Sequence, residues 1–277
     1  MSETEPPPPG VDPAVPSPAR LYDYFLGGTH NYQADRDLAE QLRAAIPDMV
    51  DGMLANRGFH GRAAAWMARR GIRQFLDIGS GLPTANNTHE AVQALEPGAR
   101  VVYVDNDPIV SAHASGLLAA NGSTALVLAD MRDPDAVLAS PVLRSMIDFS
   151  APVGLLMTAV LHFVPDEADP WGLVAAFVDA LAPGSYLALS HGTLDRLPPD
   201  QLQAGRDGYA RSSANVYMRP AAQVRRFFTG LELEPPRPGE PPDLSYVGLW
   251  GAEDALTADT DGSRAIYCAV ARKSARS

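Results

Sequence analysis

The sequence predicts an α/β fold built on a mostly parallel sheet, and three observations predict it. Past Gly71, short apolar runs alternate with longer helical stretches, the order expected of a parallel sheet with helices on both faces. The first run passes through the turn Gly79-Ser80-Gly81 into a helical stretch, a strand–glycine turn–helix unit. The 277 residues are 46% hydrophobic and 20% charged, a globular composition that suits one large domain, or one domain and a cap.

The elements follow in chain order. Residues 1–16 carry Pro6 to Pro9, Pro13 and Pro16, which favour a solvated, disordered tail. Residues 17–71 read as an N-terminal helical cap. Ser17-Pro18 suits a helix N-terminus, and Gly27-Gly28 suits its end. A second helix starts near Asn31, carries Leu38, Leu42 and Ile46 on one stripe, and stops at Pro47. A third runs from about Met49 to Arg70 and ends at Gly71, with an interruption or bend expected near Gly58 and Gly61.

Residues 72–277 form the expected core. Its strands are predicted at Arg73–Ile78, Val101–Val104, Ala125–Leu128, Val153–Met157 and Tyr186–Ser190. Helices are predicted at Pro83–Leu95, Pro108–Ala120 and Asp166–Leu181, with helical segments between the third and fourth strands and a further helix opening at Pro220. Tyr246–Trp250 and Ala265–Ala271 are expected to close the sheet as an antiparallel hairpin.

Lys and Arg number 22 against 33 Asp and Glu, a net charge of -11. Such a surface repels phosphate backbones, so no nucleic-acid partner is expected. No apolar run approaches the ~20 residues of a membrane span, so no membrane partner is expected either. The first residues lack a secretory signal, and the expected location is cytoplasmic. The single cysteine, Cys268, reads as a buried thiol. The 6 histidines, at 30, 60, 89, 113, 162 and 191, have no paired metal-ligand spacing, and no metal site is expected.

The chemistry sits where the strands end. Gly79 and Gly81 allow a ligand close to the backbone. Asp105 ends the second strand, where a carboxylate accepts from the ribose hydroxyls of an adenosine. Asp130 ends the third and is placed to accept from an adenine amino group. Asp77 is poorly suited to a pyrophosphate and better suited to a cationic amine. The third glycine of a dinucleotide fingerprint is missing, which disfavours a nicotinamide oxidoreductase, and no P-loop lysine follows the turn.

Asp77-Ile78-Gly79-Ser80-Gly81, Asp105 and Asp130 resemble the motifs of class I S-adenosylmethionine-dependent methyltransferases. Ala19 to Gly28, Asn31-Tyr32, Ala34-Asp35-Arg36 and Ala55-Asn56-Arg57 resemble more specifically the actinobacterial S-adenosyl methyltransferase family, first catalogued as a domain of unknown function. The resemblance implies a Rossmann-like class I fold and S-adenosylmethionine as cofactor, with S-adenosylhomocysteine as product. It implies that Gly79, Ser80 and Gly81 border the methionine half and that Asp77 faces its amine. Asp105 then binds ribose, Asn106 flanks the adenosine, Asp130 and Met131 hold adenine, and Thr158 lies near the transfer site. Arg20 and Arg57 are candidates for the methionine carboxylate, because arginine binds carboxylates bidentately. His162 is the candidate general base, expected to titrate near neutrality, and Tyr22 faces cofactor or acceptor. The expected acceptor is a small molecule methylated on oxygen or nitrogen. The rival reading is a non-catalytic regulatory or scaffold protein that binds the same cofactor.

Overall fold

The computed structural model describes residues 7–83, 87–118 and 122–275. Its first helices are α1 (Pro18–Phe25), α2 (Gln33–Ala45) and α3 (Met49–Arg69). The Ser17 side chain caps α1 by accepting from the Arg20 amide, and Gly27, at φ 78°, turns the chain out of it. α3 continues through Gly58 and Gly61 without interruption. Helical hydrogen bonds are cooperative, and tertiary packing of one face outweighs two residues of poor propensity.

The sheet elements alternate as expected. They are β1 (Gln74–Ile78), α4 (Thr88–Gln93), β2 (Arg100–Asp105), α5 (Pro108–Leu118), β3 (Thr124–Leu128), α6 (Pro134–Ala139), α7 (Pro141–Met146), β4 (Gly154–Thr158), α8 (Pro170–Asp179) and β5 (Tyr186–Gly192). α4 begins at Thr88 rather than at Pro83; positions 84–86 of the expected helix lie outside the described residues, as does the expected end of α5 at Ala120. The chain continues through α9 (Pro199–Tyr209), α10 (Ala221–Arg226), β6 (Glu232–Leu233), β7 (Ser245–Tyr246), α11 (Ala255–Ala258), α12 (Asp261–Arg264) and β8 (Ile266–Arg272).

The strand order is β3-β2-β1-β4-β5-β8-β6, with β7 also on β8. β1 to β5 are parallel, and β8 runs antiparallel to β5 over its whole length. The expected closing hairpin is present as the pairing of β7 with β8, but β7 is short. β6 covers the other end of the same β8 edge.

β1 is buried throughout, and its side chains alternate between two cores. Leu76 and Ile78 join Phe177, Leu143 and Phe227 on one face; Phe75 joins Phe59, Ala63 and Met67 of α3 on the other. Fully burying one such side chain contributes about 1.5–3 kcal/mol. α3 is therefore one of the helices that cover the sheet, and the expected boundary between cap and core at 71 does not separate two packing units.

The expected disordered tail also needs correcting over residues 7–16. Pro16 and Ser17 are buried, Val11 packs beside Leu82 and Ile109, and the Pro16 carbonyl accepts from the Ser213 amide at 2.8 Å. Prolines exclude this segment from regular structure, but they do not prevent an extended strap from packing. No helix among the described residues is long and apolar enough to cross a membrane.

Candidate functional site

Open parallel sheets bind ligands at the carboxyl ends of their strands, because helix N-termini and loops converge there. A cavity of about 720 Å³ opens at that edge here. Every cofactor and catalytic candidate from the sequence borders it.

The loop after β1 is shaped by its glycines. Gly79 has φ 70°, and a Cβ there would lie 2.1 Å from Val160 Cγ2. Gly81 has φ 64° with open space where its side chain would be. The Gly79 amide donates to the Val104 carbonyl at 2.7 Å, and the Gly81 amide donates to Asp105 Oδ2 at 2.8 Å. Asp105 Oδ1 accepts from the Asp107 amide at 2.9 Å. The glycine loop and the carboxylate at the end of β2 are thus one hydrogen-bonded unit. Asn106 is exposed at its rim, and Ser80 is half-buried. Burial raises the Asp105 carboxyl to about 6, partly offset by hydrogen bonds from Asp107 and Gly81.

Asp77 is buried at the end of β1 and is likewise raised to about 6 by burial. Thr88 Oγ1 donates to Asp77 Oδ2 at 2.6 Å. His60 joins Thr88 to Thr158: Nε2 lies 2.7 Å from Thr88 Oγ1 and Nδ1 lies 2.9 Å from Thr158 Oγ1. With the Thr88 proton directed to the ionised carboxylate, His60 Nε2–H donates to Thr88, and Nδ1 accepts from Thr158. Burial, with Arg57 nearby, lowers His60 to about 3, so this histidine stays neutral. No motif or spacing singles out His60 or Thr88, which meet Asp77 only through the packing of α3 and α4.

Asp130 is held differently. Arg132 donates to both of its oxygens, at 3.0 and 2.9 Å from Nε, and this pairing lowers its carboxyl below the usual range. Met131 packs against the sheet core beside it. Arg57 lines the wall near Asp77 and donates to Asn87 Oδ1 at 2.9 Å.

Arg20 requires a new role. It is 2% exposed; Nε donates to Asp35 Oδ2 at 2.8 Å, and Nη2 donates to the Asp12 and Val15 carbonyls. A guanidinium held on those partners fastens the strap over the cavity instead of meeting a ligand carboxylate.

His162 also departs from expectation. Its Nδ1 accepts from the Gly192 amide at 3.4 Å, so the ring proton is on Nε2. Burial, then the nearby Arg219 charge, lowers it to about 3. It does not titrate near neutrality, and Nε2 is a donor. Arg219, fully buried, ties the loop after β4 to β5 through Asp166, the Leu161 and Val164 carbonyls and His191 Nε2. Tyr22 donates to the Met53 carbonyl at 3.1 Å and accepts from Asn56 Nδ2 at 2.9 Å. Asn56 Oδ1 accepts from Ser190, whose Oγ accepts from the Ala159 amide. Ala159, at φ 52°, is a left-handed non-glycine residue in the cavity wall, held there by this chain of bonds.

The profile of the family described as S-adenosyl methyltransferase matches residues 4–274. The chain belongs to that family. A solved family member described as a DUF574 protein, from Streptomyces avermitilis MA-4680, is 44% identical with a TM-score of 0.86, covering 94% of this chain and 98% of that one. A candidate methyltransferase from Thermobifida fusca YX is 38% identical with a TM-score of 0.88, covering 97% and 99%. A candidate S-adenosyl-L-methionine-dependent methyltransferase of Mycobacterium tuberculosis H37Rv is 28% identical over 186 residues, 64% of this chain and 55% of that protein. The chain therefore spans about half the length of the curated relatives it matches. The S-adenosyl methyltransferase fold is thus the class I arrangement of β1 to β5 with an antiparallel closing strand. Among its described residues no cluster of three metal-ligating side chains occurs.

Proposed function

We propose that this chain binds S-adenosylmethionine along the ends of β1, β2 and β3 and transfers its methyl group to the oxygen or nitrogen of a small cytoplasmic acceptor. The observation that carries this reading is the junction of Gly81 with Asp105 beside buried Asp77, all on one cavity. Each carboxylate oxygen of Asp105 has lone pairs beyond its one backbone partner, which suits a ribose diol. Asp77 offers a partly desolvated negative charge, which suits a cationic amine. Missing side-chain volume at Gly81 allows a ligand against the backbone. Arg57, beside Asp77, suits the carboxylate of the same amino acid. The cofactor supplies an electrophilic methyl on a sulfonium whose departure is easy, so the chain's task is largely orientation and exclusion of water. The acidic surface supports a small-molecule acceptor over nucleic acid.

A binding-only regulatory protein is the second reading. It is favoured by the held-neutral states of His162 and His60, which leave neither histidine able to take a proton at neutral pH. Calorimetric titration with S-adenosylmethionine and S-adenosylhomocysteine tests the shared cofactor site. Asp105→Ala is expected to weaken both by at least about tenfold, the loss of hydrogen bonds to a charged group. Unchanged affinity in a folded Asp105→Ala protein would remove the assignment. Product formation with an acceptor would separate the two readings.

A further inference from the structure

The cavity has a second end that the cofactor assignment does not use. Its wall there is formed by Tyr22, Met53, His162, Phe163, Tyr209 and Tyr217. Phe163 lies between His162, with ring centroids 4.5 Å apart, and Tyr209, with centroids 5.6 Å apart. A volume of about 720 Å³ is in the upper part of the range that single ligands occupy, which leaves room for a small molecule beside a nucleoside. Rings at this spacing favour a planar aromatic guest stacked or edge-on.

Two polar groups face this end without a partner. Tyr209 lines the cavity, and its hydroxyl makes no hydrogen bond to another described residue. His162 Nδ1 is occupied by the Gly192 amide, so Nε2 bears the proton and is a donor with no acceptor among the described residues. Both donors face the cavity rather than the protein interior, so a ligand bound there can supply their acceptor. The carboxylates of the cavity lie elsewhere: Asp77, Asp105, Asp107 and Asp130 at the strand ends, and Asp12 on the strap. The aromatic end therefore presents hydrogen-bond donors and no anion, which disfavours a protonated amine and suits an electron-rich oxygen.

We infer that the acceptor is an aromatic hydroxyl compound bound as its phenolate, its oxygen held by the Tyr209 hydroxyl and His162 Nε2–H. This rests on the cofactor reading above and specifies its substrate class. An acceptor that arrives ionised has already lost its proton to water. Its oxygen lone pair forms the new O–C bond, the C–S electron pair stays with sulfur, and no base is needed in the step. The two neutral histidines are consistent with that requirement.

The test uses the full chain saturated with S-adenosylhomocysteine and titrated with 4-nitrophenol below the probe's own pKa. The visible phenolate band is expected to grow saturably, because two donors favour the ionised form. Tyr209→Phe keeps the ring and is expected to weaken this binding roughly tenfold while leaving S-adenosylhomocysteine affinity unchanged. 4-Nitrobenzylamine, a cation on the same ring, is expected not to compete. S-adenosylhomocysteine binding without a phenolate band, an unaltered Tyr209→Phe titration, or effective competition by the amine would each overturn the acceptor class and leave the cofactor site standing. Failure to bind S-adenosylhomocysteine would instead remove the cofactor reading, and the acceptor class with it.

Discussion

Asp77 and Asp105 are the two strand-end carboxylates whose ionisation burial opposes. Burial raises both from 3.8 to about 6, and each raised value means that the folded chain holds a proton more tightly than the unfolded chain. Between about pH 4 and pH 6 the folded chain carries the extra protons, so these two groups make stability fall as pH rises through that window. The penalty is fully present at neutral pH, where both are ionised. Asp77→Asn is therefore expected to raise the melting temperature at pH 7 by a few degrees and to leave it nearly unchanged at pH 4, with thermal unfolding followed at both. An equal shift at both values would show that Asp77 is not the group responsible. The same variant is expected to bind S-adenosylmethionine more weakly, since a neutral amide cannot balance an amine. Instability retained for a ligand's sake is the usual pattern of a functional site.

At the scale of elements, α3 has glycines of opposite meaning. Gly52 crosses Gly262 of α12: a Cβ at Gly52 would lie 2.8 Å from the Gly262 carbonyl oxygen. Backbone cannot yield as a flexible side chain can, so Gly52→Ala is expected to cost about 1–3 kcal/mol despite its gain in helix propensity. Gly61 has nothing within 4 Å of its Cβ position. Gly61→Ala is expected to stabilise by roughly 0.5–1 kcal/mol. Urea unfolding of the two variants checks both signs, and a common sign would refute the packing argument. α9 makes a related point. Its sequence, with two glycines and a weak apolar stripe, gave no clear helix signal, and the structure supplies the reason it is stable. Gly208 lets Leu42 of α2 approach, to within 2.5 Å of a would-be Cβ, and Tyr209 is carried into the cavity at the helix end.

Across the whole molecule, the strap of residues 10–17 joins the first turn of the chain to the site. Arg20 and Asp35, both buried, hold it, and Ser17 donates its amide to the same carboxylate at 3.1 Å. Removing one partner of such a pair leaves a buried charge unmatched, at a cost of about 3–5 kcal/mol. Asp35→Asn is thus expected to lower stability by that order and to release the strap. Faster S-adenosylhomocysteine dissociation in stopped-flow measurements is the expected consequence. An unchanged dissociation rate in a destabilised Asp35→Asn protein would mean that the strap does not cover the ligand.

The parallel sheet, the glycine turn and the strand-end aspartates were legible in the sequence, because they depend on local rules. Apolar runs make buried strands, glycine admits φ above zero, and a polar residue ends a strand where the backbone leaves the sheet. Tyr22 and His162 could be assigned to the site from position, but not their protonation or partners. The His60–Thr88–Asp77 relay, the donor form of His162, the open hydroxyl of Tyr209 and the fastening of Arg20 join residues far apart in the chain. Periodicity records which face a residue occupies, not which distant atom meets it there. The amino-acid order by itself determined the class of fold and the residues at the strand ends that border the cavity. Only the tertiary structure decided which side chains are occupied with holding the chain together and which are left open to a ligand, because burial and hydrogen bonding depend on contacts that exist only once the helices have packed on the sheet.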